Sequence, residues 1–201
     1  MPRPHHRPLI PGDAFFDAIE GAADPALMAE LAERTAELLV RGAHGSDDVH
    51  LAERVVHLAE DEGLEALAEL WSAAPPSSTA GSLWRLYLLR EWVHAQPVEA
   101  SRQFDAGRHV AQVAHVVAGV AEPPGPEELR HMVDAVLRGI AHSEFADVLL
   151  RAAAFARVVA EGRADRSAAA QVGSDLPGQQ AAPMQELADQ LEQAARFELA
   201  G

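Results

Sequence analysis

Residues 83–94, LWRLYLLREWVH, have the pattern of a buried helix. Their leucines, aromatic residues and valine recur at helical spacing, and apolar side chains occur almost all the way round the predicted helix. A helix that is apolar on nearly every side belongs in the centre of a larger body. The stretch therefore predicts a buried central helix, from about residue 80 to residue 95, with other helices packed around it.

The polar side chains of this central helix are not scattered around it. Tyr87, Arg90, Glu91 and His94 fall within about one-third of its circumference. Buried charges need partners, so two interpretations stand. In the simpler one, a salt-bridge network pins neighbouring helices together. In the other, the four residues form a polar pocket for a small anion or a metal, in which Arg90 clamps the ligand and His94 titrates.

The rest of the chain divides into helix-length segments at proline-rich breaks. Residues 75–79, Pro-Pro-Ser-Ser-Thr, end one segment and offer an N-cap to the next, and a second break spans residues 123–126. Alanine and leucine are abundant while aromatic residues make up only 5% of the chain, which favours helices over strands. We expect an all-α bundle of about eight or nine helices, mostly antiparallel neighbours.

The predicted organisation has four parts. Residues 1–12, rich in proline, form an extended arm; residues 13–161 form the helical bundle; residues 162–183 form a linker without apolar periodicity; and residues 184–200 form an amphipathic helix. This last helix packs on the bundle or on a partner. Its apolar face carries Met184, Leu187, Leu191 and Ala195.

Two segments of the chain are weakly similar to each other, which raises the question of an internal repeat. Arg41-Gly42 and Arg138-Gly139 are each followed by a serine, an acidic residue and an arginine at matching positions. A duplicated helical hairpin, as in irregular helical repeats, would produce this pattern. The simpler explanation is that unrelated hairpins share a glycine stop and a serine–acid start.

Composition excludes several kinds of chemistry. The chain has no cysteine and no lysine, which excludes disulfides, thiol catalysis, Schiff-base catalysis and the P-loop lysine. Its net charge of −15 opposes binding to nucleic acid or anionic lipid. It has no membrane-spanning apolar stretch and no signal peptide, so we expect a cytoplasmic protein. All sixteen basic residues are arginine, and we attribute this bias to a high-GC bacterial genome.

A cluster of histidine and glutamate residues suggests a further place for a metal. His50, Glu53 and His57 share one face of the helix predicted after Ser46, and their spacing suits a weak surface site. That face lies opposite the apolar stripe, so a solvated charged face is the simpler interpretation.

Two Glu-x-x-His motifs are also present, at residues 91–94 and 128–131. In the second motif, helical spacing puts His131 nearly opposite the core face, with Glu127 and Asp134 beside it on a predicted solvated face. We predict no cofactor.

No catalytic signature of a common enzyme class occurs in the sequence. The acidic surface and the detachable last helix favour a non-enzymatic protein-interaction module that associates with itself or with another protein. The alternative is a helical protein that binds a small ligand or metal through Tyr87, Arg90, Glu91 and His94.

Overall fold

A computed structural model of the chain describes residues 25–41, 64–114, 123–137, 145–171 and 181–200. These residues form helices and short connections without any strand, which confirms the all-α class. The seven helices are α1 (Pro25–Arg41), α2 (Leu64–Trp71), α3 (Thr79–Ala95), α4 (Pro97–Ala114), α5 (Pro126–Leu137), α6 (Phe145–Gln171) and α7 (Ala182–Ala200).

The described part of the chain thus holds fewer helices than the eight or nine that the sequence predicts. The predicted arm, residues 1–12, and the helices predicted after Asp13 and Ser46 lie outside the described residues. Most of the two similar segments, residues 42–54 and 138–144, also lies outside the described residues.

Helix α3 occupies the centre of the bundle and contacts each of the six other described helices. Its buried face follows helical spacing through Leu83, Leu86, Leu89 and Val93, all of which are almost fully buried. Burying four such side chains contributes about 1.5–3 kcal/mol each. This packing positions every polar residue that the sequence singles out on α3.

Two polar groups hold the N-terminus of α3. Ser78 is its N-cap and accepts a hydrogen bond from the backbone N–H of Gly81 at 3.0 Å. Glu33 reaches across from α1, and its two carboxylate oxygens accept the N–H groups of Thr79 and Ala80 at 2.9 and 3.0 Å. Because the first N–H groups of a helix have no partner within it, Glu33 both completes α3 and fixes α1 against it.

Helices α1 and α2 are joined by a buried hydrogen bond. The indole N–H of Trp71 donates to the Thr35 hydroxyl at 3.1 Å, and that hydroxyl donates to the carbonyl of Ala32. Trp71 is fully buried, so its only polar atom needs this partner.

Helices α4 and α6 cross at two glycines. A Cβ on Gly107 would lie 1.8 Å from the carbonyl oxygen of Val158, and one on Gly162 would lie 2.0 Å from that of Gln103. Only glycine permits this approach of the two backbones.

The position of Gly162 corrects the sequence analysis. The predicted end of the helix at Glu161, with a linker from Gly162, is wrong because α6 continues to Gln171. Glycine inside a helix costs about 1 kcal/mol relative to alanine, and the close α4–α6 packing offsets that cost.

Helix α7 lies along α6, and this is the most extensive helix pair among the described residues. Met184, Ala188, Leu191 and Ala195 are buried, and Leu187 is partly buried. The apolar face of the C-terminal helix is therefore turned towards the bundle. At the edge of the pair, Arg157 of α6 forms ion pairs with Asp189, at 3.1 Å, and with Glu192.

Candidate functional site

The four residues predicted as a polar stripe on α3 have different surroundings. Arg90, whose side chain is 19% exposed, donates hydrogen bonds to Glu91 and to Asp134 of α5. Tyr87 is partly buried one turn before Glu91, and His94 is exposed near the end of the helix. The structure thus brings Arg90 and Glu91 together and adds a third member, Asp134.

Sequence reasoning missed Asp134, because it placed this residue on the solvated face of α5. Its side chain is only 14% exposed, whereas His131 and Glu127 on the same helix are 70% and 67% exposed. Asp134 lies beside the core position Val133, at the border between the buried and solvated faces. A charge at such a border can turn towards a neighbouring helix, and here it meets the guanidinium of Arg90.

The pKa values of Arg90 and Tyr87 are both raised, so both side chains keep their ordinary protonation states at neutral pH. Burial lowers the pKa of Arg90, but the hydrogen bonds to Asp134 and Glu91 outweigh it, so the pKa is raised. Burial is also the largest cause of the raised pKa of Tyr87, with Glu91 and Glu65 adding to it and Arg90 opposing it. At neutral pH Arg90 is a cation and Tyr87 a neutral hydroxyl. The cluster therefore acts as an ion-paired tie between α3 and α5.

Next to this polar cluster, and overlapping it at Tyr87, α3 carries apolar residues that the described helices do not fully bury. We define the outward strip as Trp84, Tyr87 and Leu88. Leu88 is 43% exposed, and the other two are only partly buried. The rings of Trp84 and Tyr87 stack with their centroids 5.8 Å apart.

The exposure of Leu88 shows that the sequence-based prediction of burial on all sides of α3 is wrong. Contacts hold the helix from its flanks. Arg85 donates to Gln190 of α7 at 2.6 Å on one side, and Arg90 pairs with Asp134 of α5 on the other. The side of α3 between these two contacts keeps Leu88 exposed and Trp84 and Tyr87 partly exposed.

A second polar cluster joins α4 to α6. The amide of Gln103 is fully buried; it donates to Glu99 at 2.8 Å and accepts from Nε of Arg163 at 2.7 Å. Arg163 also lies over the ring of Trp92, 5.0 Å from its centroid, and Arg166 pairs with Glu99. These groups satisfy one another beside the glycine crossing, so this cluster is structural.

A third cluster lines an open groove between α6 and α7. Its walls are formed by Arg157, Asp189, Glu192, Gln193 and Arg196. Glu192, 13% exposed, pairs with both arginines, and the hydrogen bond from Arg157 is the largest cause of its lowered pKa. Arg157 joins the two helices through Asp189 and Glu192, while Arg196 pairs with Glu192 along α7.

The predicted metal ligands His50, Glu53 and His57 lie outside the described residues. Within the described ranges, no group of three or more histidine, aspartate and glutamate side chains is arranged to hold a metal ion. None of the helices in those ranges combines the length and apolar character needed to cross a membrane.

Comparisons with known proteins give no relative. No protein family matches the chain, and no curated protein and no solved structure is significantly similar to it. The outward strip and the polar clusters are thus the features on which a function has to be argued.

Proposed function

We propose that the protein is a non-enzymatic interaction module that associates with itself or with another protein through the outward strip of α3. The observation that carries this proposal is the exposure of Leu88, at 43%, beside the stacked rings of Trp84 and Tyr87. Tryptophan and tyrosine are the residues most enriched at the energetic centres of protein interfaces.

The rigidity of the strip supports the same proposal. Leu86 and Leu89, the neighbours of Tyr87 and Leu88 on the buried side, are fully or almost fully buried. The helix under the strip is held at its N-terminus by Glu33 and Ser78. A side chain on such a fixed helix loses little freedom on binding, so more of its contact energy appears as affinity.

The alternative of a small-ligand or metal site at Tyr87, Arg90, Glu91 and His94 gains no support from the geometry. Arg90, the proposed clamp, is already paired with two carboxylates. A ligand at this place would have to displace Asp134 and leave its carboxylate without that partner, at a cost of several kcal/mol. A cytoplasmic location belongs to the proposal of an interaction module, and the net charge of −15 supports a protein partner over a nucleic acid.

The test compares matched charge insertions at exposed apolar positions. The protein is purified under mild conditions from its native host, as wild type and as Leu88→Glu, Val98→Glu and Phe197→Glu. Val98 and Phe197 are 71% and 54% exposed and lie on α4 and α7. Native mass spectrometry reports the mass of each complex, and circular dichroism reports folding.

We expect a mass above the monomer for the wild type and for both control variants, and a monomer for Leu88→Glu. A monomer in all four preparations would contradict the proposal. So would a Leu88→Glu variant that keeps the additional mass.

A further inference from the structure

The charges beside the outward strip indicate what kind of partner it accepts. Two arginines of α3, Arg85 and Arg90, are the cations closest to it in sequence. Arg90 is paired with Glu91 and Asp134. Arg85 donates to the carbonyl of Gly81 at 2.8 Å and to Gln190 at 2.6 Å. Both guanidinium groups are therefore held by partners within the bundle.

Carboxylates lie on both sides of the strip. On the α2 and α5 side, Glu65 is exposed and Glu91 is 37% exposed, and both are close enough to Tyr87 to raise the pKa of its hydroxyl. On the α7 side, exposed Glu186 lies near Arg85 and acts on its charge. The exposed charged residues on the two sides, Glu65 and Glu186, are thus both acidic.

The spacing of the strip suits a helical partner. Trp84, Tyr87 and Leu88 stand at positions i, i+3 and i+4, so they lie side by side on one side of a fixed helix. An amphipathic helix packs its own apolar ridge against such a surface.

From these observations we propose that the partner is a basic amphipathic helix of another protein, whose apolar side chains cover Trp84 and Leu88 and whose arginine or lysine residues meet Glu65 and Glu186. This inference rests on the proposed function and adds the chemistry of the partner. A second copy of the chain would bring the same carboxylates and a further net charge of −15 against the strip, which disfavours it as the occupant.

The experiment selects peptides without assuming a natural partner. A phage-displayed library of helical peptides, randomised on one face, is selected on the intact wild-type chain and counter-selected on Leu88→Glu. The best peptide is then titrated against wild type, Glu65→Gln, Glu186→Gln and the control Glu161→Gln, which removes an exposed carboxylate from α6.

We expect selected peptides with lysine or arginine one turn from a large apolar residue. Glu65→Gln and Glu186→Gln weaken binding about twofold to fivefold each, the range for exposed ion pairs, and Glu161→Gln leaves it unchanged. Binding also weakens as salt is raised to about 0.3 M.

The outcomes separate the two proposals. Peptides that depend on Leu88 but are neutral or acidic, or that bind the glutamine variants as well as wild type, overturn the basic partner and leave the interaction module standing. Self-association that depends on Leu88, without peptide binding, identifies a second copy as the occupant and also overturns it. If neither peptides nor assembly depend on Leu88, both proposals fail.

Discussion

Helices α7 and α3 differ in where they leave apolar residues exposed. The apolar face of α7 is used within the chain, where Ala188, Leu191 and Ala195 are almost fully buried in the bundle. Helix α3 buries one face as completely but has apolar residues left over, and Leu88 remains 43% exposed. Helix α7 contacts both α6 and α3, and its exposed apolar residues, Phe197 and Leu199, lie in its last turn. On α3, by contrast, the exposed Leu88 lies in the middle of the helix. The C-terminal helix looked detachable in sequence, but its apolar face is used within the bundle.

Truncating matched leucines on the two helices tests this difference with the largest expected effect. Leu191→Ala on α7 and Leu89→Ala on α3 each remove a side chain that is at most 1% exposed, and each lowers the free energy of unfolding by about 2–5 kcal/mol. Leu88→Ala, one residue away from Leu89, costs less than about 1 kcal/mol. Urea denaturation measures all three. A cost for Leu88→Ala equal to that for Leu89→Ala would show that the outward strip belongs to the core.

A slightly smaller loss of stability is expected from a substitution at the glycine crossing of α4 and α6. Gly162→Ala places a Cβ about 2 Å from the Gln103 carbonyl, and since backbone atoms cannot move aside, the variant is destabilised by about 1–3 kcal/mol. This loss exceeds the gain in helix propensity. Thermal denaturation measures it. The control is Gly125→Ala, where a Cβ would meet nothing within 4 Å. Equal melting temperatures for the two variants would contradict the close approach of α4 and α6.

The polar side of α3 supplies the next test. Arg90→Met removes the ion pair between Arg90 and Asp134, whose side chain is 14% exposed, and costs about 1–3 kcal/mol. Adding Asp134→Leu to Arg90→Met restores part of that stability, because it removes the carboxylate that has lost its hydrogen bond from Arg90. A double-mutant cycle by chemical denaturation measures the coupling. If Arg90→Met changes no stability but abolishes binding of a small ligand, the pocket interpretation replaces the structural one.

The smallest expected effect is the pH dependence of the α6–α7 edge. The hydrogen bond from Arg157 places the pKa of Glu192 below its ordinary value of 4.5. This contribution to stability is therefore complete above pH 4.5 and is lost as the pH falls through the lower, folded-state value.

Urea midpoints at several pH values between about 6 and 3 test this sign. Glu192→Gln is less stable than wild type at the upper end, and the difference shrinks towards the lower end. Gln193→Ala, in the same groove, adds and removes no titrating group and keeps the wild-type pH dependence. A difference that grows on acidification would contradict the assignment.

Local pattern in the sequence was sufficient for the fold class, for the central helix and for the apolar face of α7. The pairing of Arg90 with Asp134 could not be read in the same way, because the partner lies 44 residues further along the chain. Gly162 was misread for a related reason. Glycine and polar residues suggest the end of a helix until the backbone of α4 is known to pass within contact distance. The metal candidates at His50, Glu53 and His57 remain predictions.

The glycine crossing also has a consequence for motion. Gly107 and Gly162 each face a carbonyl oxygen of the other helix at a distance that only hydrogen atoms can occupy. Sliding α4 along α6 by one turn would bring the side chain of Gln103 or Phe104 to the place of Gly107, and the backbones would have to separate. The close approach therefore holds the two helices in one register and opposes sliding between them.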